Sequence, residues 1–541
     1  MRQSKLSMLL LAGGILSHVA FAQTPAPAPP TAQSTPSDGG LAKPGVAGAK
    51  PEKVLTPEQG KQLLAEIPQI LEYSSKDTGL TIHSKVKGRV TSRDAVEKYL
   101  LEKMKDDKET QRMERSELVM KKFGLLDTSF QLQPFLIALL KEQIAGYYDD
   151  KSKTMNLLDW VDPDDQKPVM AHELTHALQD QRVNLEKWEK AAPDDSKPSK
   201  NFKEDTERVA GDEIGSARDA VVEGQAMIPL IDLGLKDVGQ SVRTAPQVIP
   251  LMTAQMAETD VSTSPVLARA PLMIQESMLF SYREGLTFEA AILAKYGIER
   301  AFAGTLDEPP STSAEILHPE QYLKKKKQPL IKIPDVHPLL DANYSPYDIG
   351  VVGEFDVKTL ADLFVGEAES AQITPQWRGG TYYAGQRRSD EKSPRKDSTS
   401  SIALVYYSEW ASPEAARKFA EIYQRPFPRK YEHLKAVSAS VEKQDQLGDH
   451  ETAYDTDEGY VVVSVAGNGV FISEGFTRDE ARQLQAMFLA GRTEGALEVS
   501  VPSISPERDL SGSLRKFLAH TGVMRCALPH RSLGLRSSFV Y

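Results

Sequence analysis

From Thr56 onward, apolar residues recur at the spacing of one helix face. Leu63, Leu64, Ile67 and Ile70 follow Thr56-Pro57-Glu58, an N-cap with proline at the first helical position, so a helix is expected to start there. Residues 92–104 (SRDAVEKYLLEKM) form a second amphipathic stretch, and residues 130–144 form a third, strongly apolar one. Two β-prone pieces around a polar turn at 146–158 predict a hairpin. A further helix is expected over 169–181, with Pro168 at its start and Met170, Ala171, Leu174, Ala177 and Leu178 as its apolar stripe. Residues 182–205 are highly charged and read as a surface insertion, after which helical spacing resumes over 205–233 and 271–303.

The rhythm changes after the KKKK run at 324–327, which reads as a solvated linker followed by Pro329, Pro334 and Pro338. Residues 377–383 and 401–407 (SIALVYY) have strand character, and Ser412-Pro413-Glu414 caps a helix running to about Gln424. YVVVSVA at 460–466 and VFISE at 470–474 flank Asn468-Gly469, a type I′ hairpin signal. Thr477-Arg478-Asp479-Glu480 is a capping box that opens a last helix. The expected fold class is α+β: a mostly helical domain with a small sheet or hairpin over 56–330, then a smaller α+β domain over 340–495. Residues 496–541 read as an irregular, mildly basic tail.

The start of the chain has a different character. Arg2 and Lys5 precede the short apolar run MLLLAGGIL at 8–16, and Ala20-Phe21-Ala22 is a small-x-small cleavage site, so residues 1–22 read as a signal peptide. That run is well short of the ~20 residues a membrane span needs, and no later stretch reaches that length. Residues 23–55 are rich in Pro, Ala and Gly and are expected to be a disordered tether. The expected location is therefore secreted or periplasmic. The formal net charge of −11 becomes more negative once Arg2 and Lys5 leave, which argues against nucleic acid as a partner. Apolar residues at 40% and charged residues at 26% are globular composition, and the single cysteine, Cys526, allows no disulfide within the chain.

The chemistry is concentrated in HELTHALQDQ, residues 172–181. His172 and His176 are four apart on the expected helix, so their β-carbons stack ~5–6 Å apart on one face. Two imidazoles so placed can each set a nitrogen ~2.0–2.1 Å from one Zn2+ ion. Glu173 lies one residue on, beside the metal, where it can take a proton from a zinc-bound water and pass it to the leaving amine. A catalytic zinc needs a third protein ligand and an open position. The continuation HExxHxxGxxH is absent, since Ala177, Leu178, Gln179 and Asp180 follow His176. Glu223 on the next helix is the favoured third ligand, because Ala220, Gly224 and Ala226 around it would let that helix lie close to the histidines. Glu213 in GDEIGSA competes with it.

HELTHALQDQ followed by an EGxA helix resembles gluzincin-type zinc metallopeptidases, and more narrowly exported bacterial putative peptidases that carry HELTHALxDQ. The resemblance runs from about Ser92 to Leu323 and includes Gly146-Tyr147-Tyr148-Asp149, Phe280-x-Tyr282-x-x-Gly285 and the stretch from Pro-Pro-Ser-Thr to His318-Pro319. It implies a zincin-like domain, a glutamate third ligand carried over to Glu223, and an edge strand that pairs with substrate. The acid such families carry one turn after that glutamate is replaced by Met227, and Asp219 lies one turn before it instead. Asp219 and Asp180 are candidates to orient a ligand histidine from behind. His318, Tyr148 and Tyr282 are candidates to stabilise the oxyanion, the two tyrosines also to bind substrate. The expected function is a secreted zinc endopeptidase acting on a peptide or protein. A non-catalytic exported binding protein using residues 340–495, and zinc-dependent hydrolysis of a non-peptide amide, are the alternatives.

Overall fold

The computed structural model of the chain describes residues 54–104, 107–189, 197–257, 264–325, 331–437 and 447–490. The expected signal peptide, the tether up to Lys53, part of the tetralysine and the tail 496–541 lie outside these residues.

The first helix, α1 (Pro57–Thr78), begins as its pattern predicts. Thr56 Oγ1 accepts from Gln59 N at 3.2 Å, and Thr56 N donates back to Gln59 Oε1 at 2.9 Å. Strand β1 (Lys87–Thr91) and helices α2 (Arg93–Met104), α3 (Asp107–Phe123) and α4 (Leu132–Gln143) lead into the hairpin β2 (Gly146–Asp149) and β3 (Thr154–Leu158). β1 runs parallel to β3, which gives a three-stranded sheet in the order β1-β3-β2. Four of the five β1 residues face solvent and carry no apolar alternation, so the strand left no pattern to read.

Helix α5 (Pro163–Val183) carries the HELTH motif. It starts at Pro163, earlier than expected, because Asp162 caps it by accepting from Asp164 N at 3.1 Å. Pro168 therefore sits inside the helix, where the packing around α5 outweighs the one hydrogen bond it removes. After α6 (Leu185–Glu189), the single helix expected over 205–233 is in fact two, α7 (Phe202–Gly211) and α8 (Ile214–Leu235). The chain breaks at Asp212 and Glu213, whose carboxylates accept backbone N–H groups from Val351 and Ser313. α9 (Val248–Ala257) and α10 (Leu272–Tyr296) follow, and a π-helical turn at Arg300–Gly304 lies just beyond α10.

The second sheet has seven antiparallel strands in the order β4-β5-β6-β10-β9-β8-β7. They are β4 (Tyr344–Val351), β5 (Trp377–Arg387), β6 (Ile402–Trp410), β7 (Leu434–Ala436), β8 (His450–Thr456), β9 (Gly459–Ala466) and β10 (Gly469–Phe476). Tyr382, Leu404 and Tyr406 point to one side, while Tyr383, Val405 and Tyr407 join a second apolar cluster on the other with Leu484 and Phe488. Both faces are covered, which is why runs such as SIALVYY are apolar without alternation. The molecule is α+β, as expected. The two sheets fall on opposite sides of the boundary read near 330–340, yet one apolar cluster runs through both parts, from Leu63 to Ile472. Among the described residues, no helix is long and apolar enough to cross a membrane.

Candidate metal centre

From Val169 to Asp180, nearly every residue of α5 is buried, including His172, Glu173, Thr175, Gln179 and Asp180. A helix buried on all sides has no solvent for its polar groups, so each needs a partner from the elements packed on it. Those elements are α1, α8 and β2. Ser74 Oγ of α1 donates to Ala171 O at 3.2 Å, and Tyr148 N of β2 donates to Glu173 Oε2 at 2.8 Å.

α8 brings Glu223 against both histidines. Glu223 Oε2 lies 3.0 Å from His172 Nε2 and 3.6 Å from His176 Nε2, and the two Nε2 atoms are 2.9 Å apart. A tetrahedral ion with bonds of ~2.0–2.1 Å sets its ligand atoms about 3.3 Å apart, and the three observed separations bracket that value. Two neutral imidazoles and a carboxylate are also a donor set that zinc accepts. Glu173 lies within 4.8 Å of both imidazoles, so two carboxylates stand near the centre. The shorter contacts make Glu223 rather than Glu173 the candidate third ligand. Glu173 keeps Oε1 buried and without a partner, beside the ligand set. Glu213, the competitor, accepts at Oε1 from Ser313 N at 3.1 Å and from the Ser313 hydroxyl, at the break between α7 and α8.

Electrostatics mark the same place as one that holds a positive charge. Burial works against charge on His176, but the Glu223 carboxylate, helped by Glu173, more than offsets it and raises the imidazole to about 9. Burial would likewise raise Glu223, yet His176 and His172 hold it down at about 2. His172, Glu173 and Glu223 are only 1%, 2% and 3% exposed.

The remaining candidates are placed as follows. Tyr282 on α10 is buried, and its ring stacks on His172 with centroids 6.1 Å apart. Tyr147 packs inward on Tyr99 at 4.8 Å, while Tyr148 takes the other face of β2. Tyr148 OH donates to Asp180 Oδ2 at 2.9 Å. Asp180 was expected to orient a histidine, but its carboxylate instead holds Tyr148, Lys153 Nζ at 2.6 Å and Leu185 N at 3.2 Å. Asp219 is buried on α8 one turn before Glu223. His318 lies between two short helices, where Nε2 meets Glu354 Oε1 at 2.8 Å.

Two residues that the sequence reasoning passed over belong to the centre. Gln179 Oε1 meets His176 Nδ1 at 2.8 Å, and Gln179 Nε2 donates to Gln225 Oε1 at 2.9 Å. Gln179 is three residues after His176, so the i,i+3 rule of a helix could have found it. Gln225 gave no such signal. The small residues near Glu223 also serve a different neighbour than expected. A Cβ on Gly224 would overlap the backbone of Gly285, and one on Gly285 would overlap Ala220 O, so Ala220 and Gly224 admit α10. This accounts for Phe280-x-Tyr282-x-x-Gly285: Gly285 lets α10 approach α8, and Tyr282 then reaches His172. No family model, curated protein or solved structure matches the chain.

Proposed function

We propose that the chain is an exported zinc-dependent endopeptidase with a zincin-like first part, in which His172, His176 and Glu223 hold the metal. The observation that carries this reading is the meeting of His172 Nε2, His176 Nε2 and Glu223 Oε2 within 3.6 Å of one another, with an unpartnered Glu173 oxygen beside them. When bound, the ion lowers the pKa of a coordinated water toward 7 and polarises the peptide carbonyl. The chain's own residues do the rest. Tyr148 N–H fixes Glu173 Oε2, which leaves Oε1 to take the proton of the attacking water and deliver it to the leaving amine. Glu223 and the histidines contribute one negative charge to the ligand set. The edge strand β2 lies against Glu173 and is the natural place for an extended peptide to pair. Export rests on the signal-like residues 1–22.

One observation favours a second reading. The centre is almost fully buried, as a structural metal site would be, and an exported binding protein with a zincin-like scaffold would need no access to it. Metal analysis of the purified chain and cleavage of a broad peptide library by wild type and Glu173→Gln separate the two. The peptidase reading expects one zinc per chain in both proteins and a loss of ~10²–10⁴-fold in kcat for Glu173→Gln. Zinc in both with no cleavage by wild type favours the binding reading with a structural metal, and no zinc in wild type overturns the peptidase reading.

A further inference from the structure

We propose that Gln179 and Gln225 form a positioning relay that keeps a ring proton of His176 on Nδ1, so that Nε2, facing His172 and Glu223, is the nitrogen that loses its proton to a metal. The inference rests on the metal-site reading above. Neither glutamine touches a candidate reacting atom.

The direction of each amide follows from partners that can only accept. Gln225 is fully buried, and its Nε2 lies 3.0 Å from Ala301 O, 2.9 Å from Phe302 O and 2.7 Å from Thr305 Oγ1. A main-chain carbonyl has no proton to give, so this end of the side chain is the NH2 group and Oε1 faces the other way. The hydroxyl of Thr305 is itself spent on Ala301 O at 2.6 Å, so toward Gln225 it can only accept. At the other end, Gln225 Oε1 receives Gln179 Nε2 at 2.9 Å. The same NH2 group of Gln179 donates to Val222 O at 2.9 Å, again an acceptor only. Two separate partners therefore turn Gln179 Oε1 toward His176 Nδ1, 2.8 Å away. An amide oxygen carries no proton, so the ring nitrogen must carry it.

The anchor is the π-helical turn Arg300–Gly304. It offers two successive carbonyls, Ala301 O and Phe302 O, to one NH2 group. The choice of an amide also has a reason. Glu173 and Glu223 already put two carboxylates beside the candidate cation, and a glutamate at 179 would add a third buried charge and set its second oxygen against acceptors alone, Val222 O and Gln225 Oε1. His172 has no such partner, since its Nδ1 is buried and unpaired. The relay thus serves one ring of the two.

The test uses the full chain, with zinc affinity measured by competition against a chelator and histidine ring nitrogens followed by 15N NMR. In zinc-loaded wild type, His176 is expected to carry its proton on Nδ1 and the metal on Nε2. Gln179→Leu is expected to bind zinc ~10–100-fold more weakly, the usual cost of removing an outer partner of a ligand histidine. Gln225→Met is expected to weaken binding less and in the same direction, and the double variant to match Gln179→Leu. Gln179→Glu is expected not to restore wild-type affinity. Wild-type affinity in Gln179→Leu, independent additive losses, or metal on Nδ1 of His176 would each overturn the relay. If Gln179→Leu does not fold, the ring assignment in zinc-loaded wild type decides. If wild type takes up no zinc, the metal reading fails. The relay is then judged by solvent exchange of the His176 Nδ1 proton in metal-free protein, expected to be slower in wild type than in Gln225→Met, with equal rates overturning it.

Discussion

Glu173 divides its work between its two oxygens. Oε2 is tied to the backbone of β2, and Oε1 is buried without a hydrogen-bond partner. Tyr148 meets two acids, holding Glu173 with its N–H and Asp180 with its hydroxyl. Only the second contact is lost in Tyr148→Phe. That variant should unfold about 1.5–3 kcal/mol more easily, the range for a hydrogen bond to a charged group, with kcat near wild type. A fall of 10²-fold in kcat would instead give the hydroxyl the oxyanion role. The positions fixed by spacing along one helix were legible in the sequence: His172, Glu173 and His176 lie within two turns of one another. Glu223 was legible through its small neighbours, although those neighbours turn out to face α10. Asp180 was misread because what it meets, Tyr148 and Lys153, comes from the hairpin, and helix periodicity says nothing about contacts across elements.

α8 carries Glu223, the candidate third ligand, and is gripped on several sides. Its closest approach is to α10 at Gly224 and Gly285, backbone to backbone, so no side-chain rotation can relieve an added methyl. Gly224→Ala should cost about 1–3 kcal/mol by overpacking and should also weaken zinc binding, because α8 must move away and Glu223 goes with it. Denaturant unfolding and chelator competition on the same variant check both effects. Near its other end, α8 meets the end of α1. Asp77 Oδ1 holds Arg243 Nη2 at 2.7 Å, and Asp232 Oδ1 holds Val242 N at 2.5 Å. Burial, and then the charge of Asp77, push Asp232 up to about 7. The folded chain thus keeps a proton there that the unfolded chain gives up near its ordinary value of 3.8. The resulting stability is full below that value and is lost as pH rises to about 7. Asp232→Asn should flatten the fall in stability across that window, and urea midpoints measured from pH 4 to 8 test it. The caps at Thr56, Ser412 and Thr477 and the two hairpins were legible because turn and cap chemistry is local. The second turn, however, falls on Gly467-Asn468 rather than Asn468-Gly469, and only Gly467 takes a positive φ, so it is not type I′. The break between α7 and α8 was not, because Asp212 and Glu213 bind segments more than 90 residues away.

At the scale of the whole molecule, the two sheets share one interior. Phe123 of α3 meets Tyr382, Tyr406 and Tyr423, with centroids 5.6, 5.7 and 6.5 Å away, and Phe280 of α10 meets Phe355 at 4.6 Å. Lys122, next to Phe123, is fully buried and pairs with Glu458 at 2.6 Å. Lys122→Met leaves that carboxylate largely buried with the Thr399 hydroxyl and the more distant charge of Lys430 as what remains, so it should cost about 3 kcal/mol. Lys122→Met with Glu458→Gln should recover part of the loss, and a double-mutant cycle in denaturant measures how much. Composition and apolar runs made two sheet-bearing parts legible, but residues far apart in sequence join them, and no local pattern records such contacts.

The shared interior also ties folding to the order of synthesis. A chain emerging N-terminus first has His172, His176 and Glu223 in hand before Phe355 and Tyr423, the partners of Phe280 and Phe123, have been made. Phe280 waits for Phe355, and Phe123 waits for Tyr423, some 200 residues after Glu223. The candidate metal ligands are therefore made early, on a scaffold that only a nearly finished chain can close.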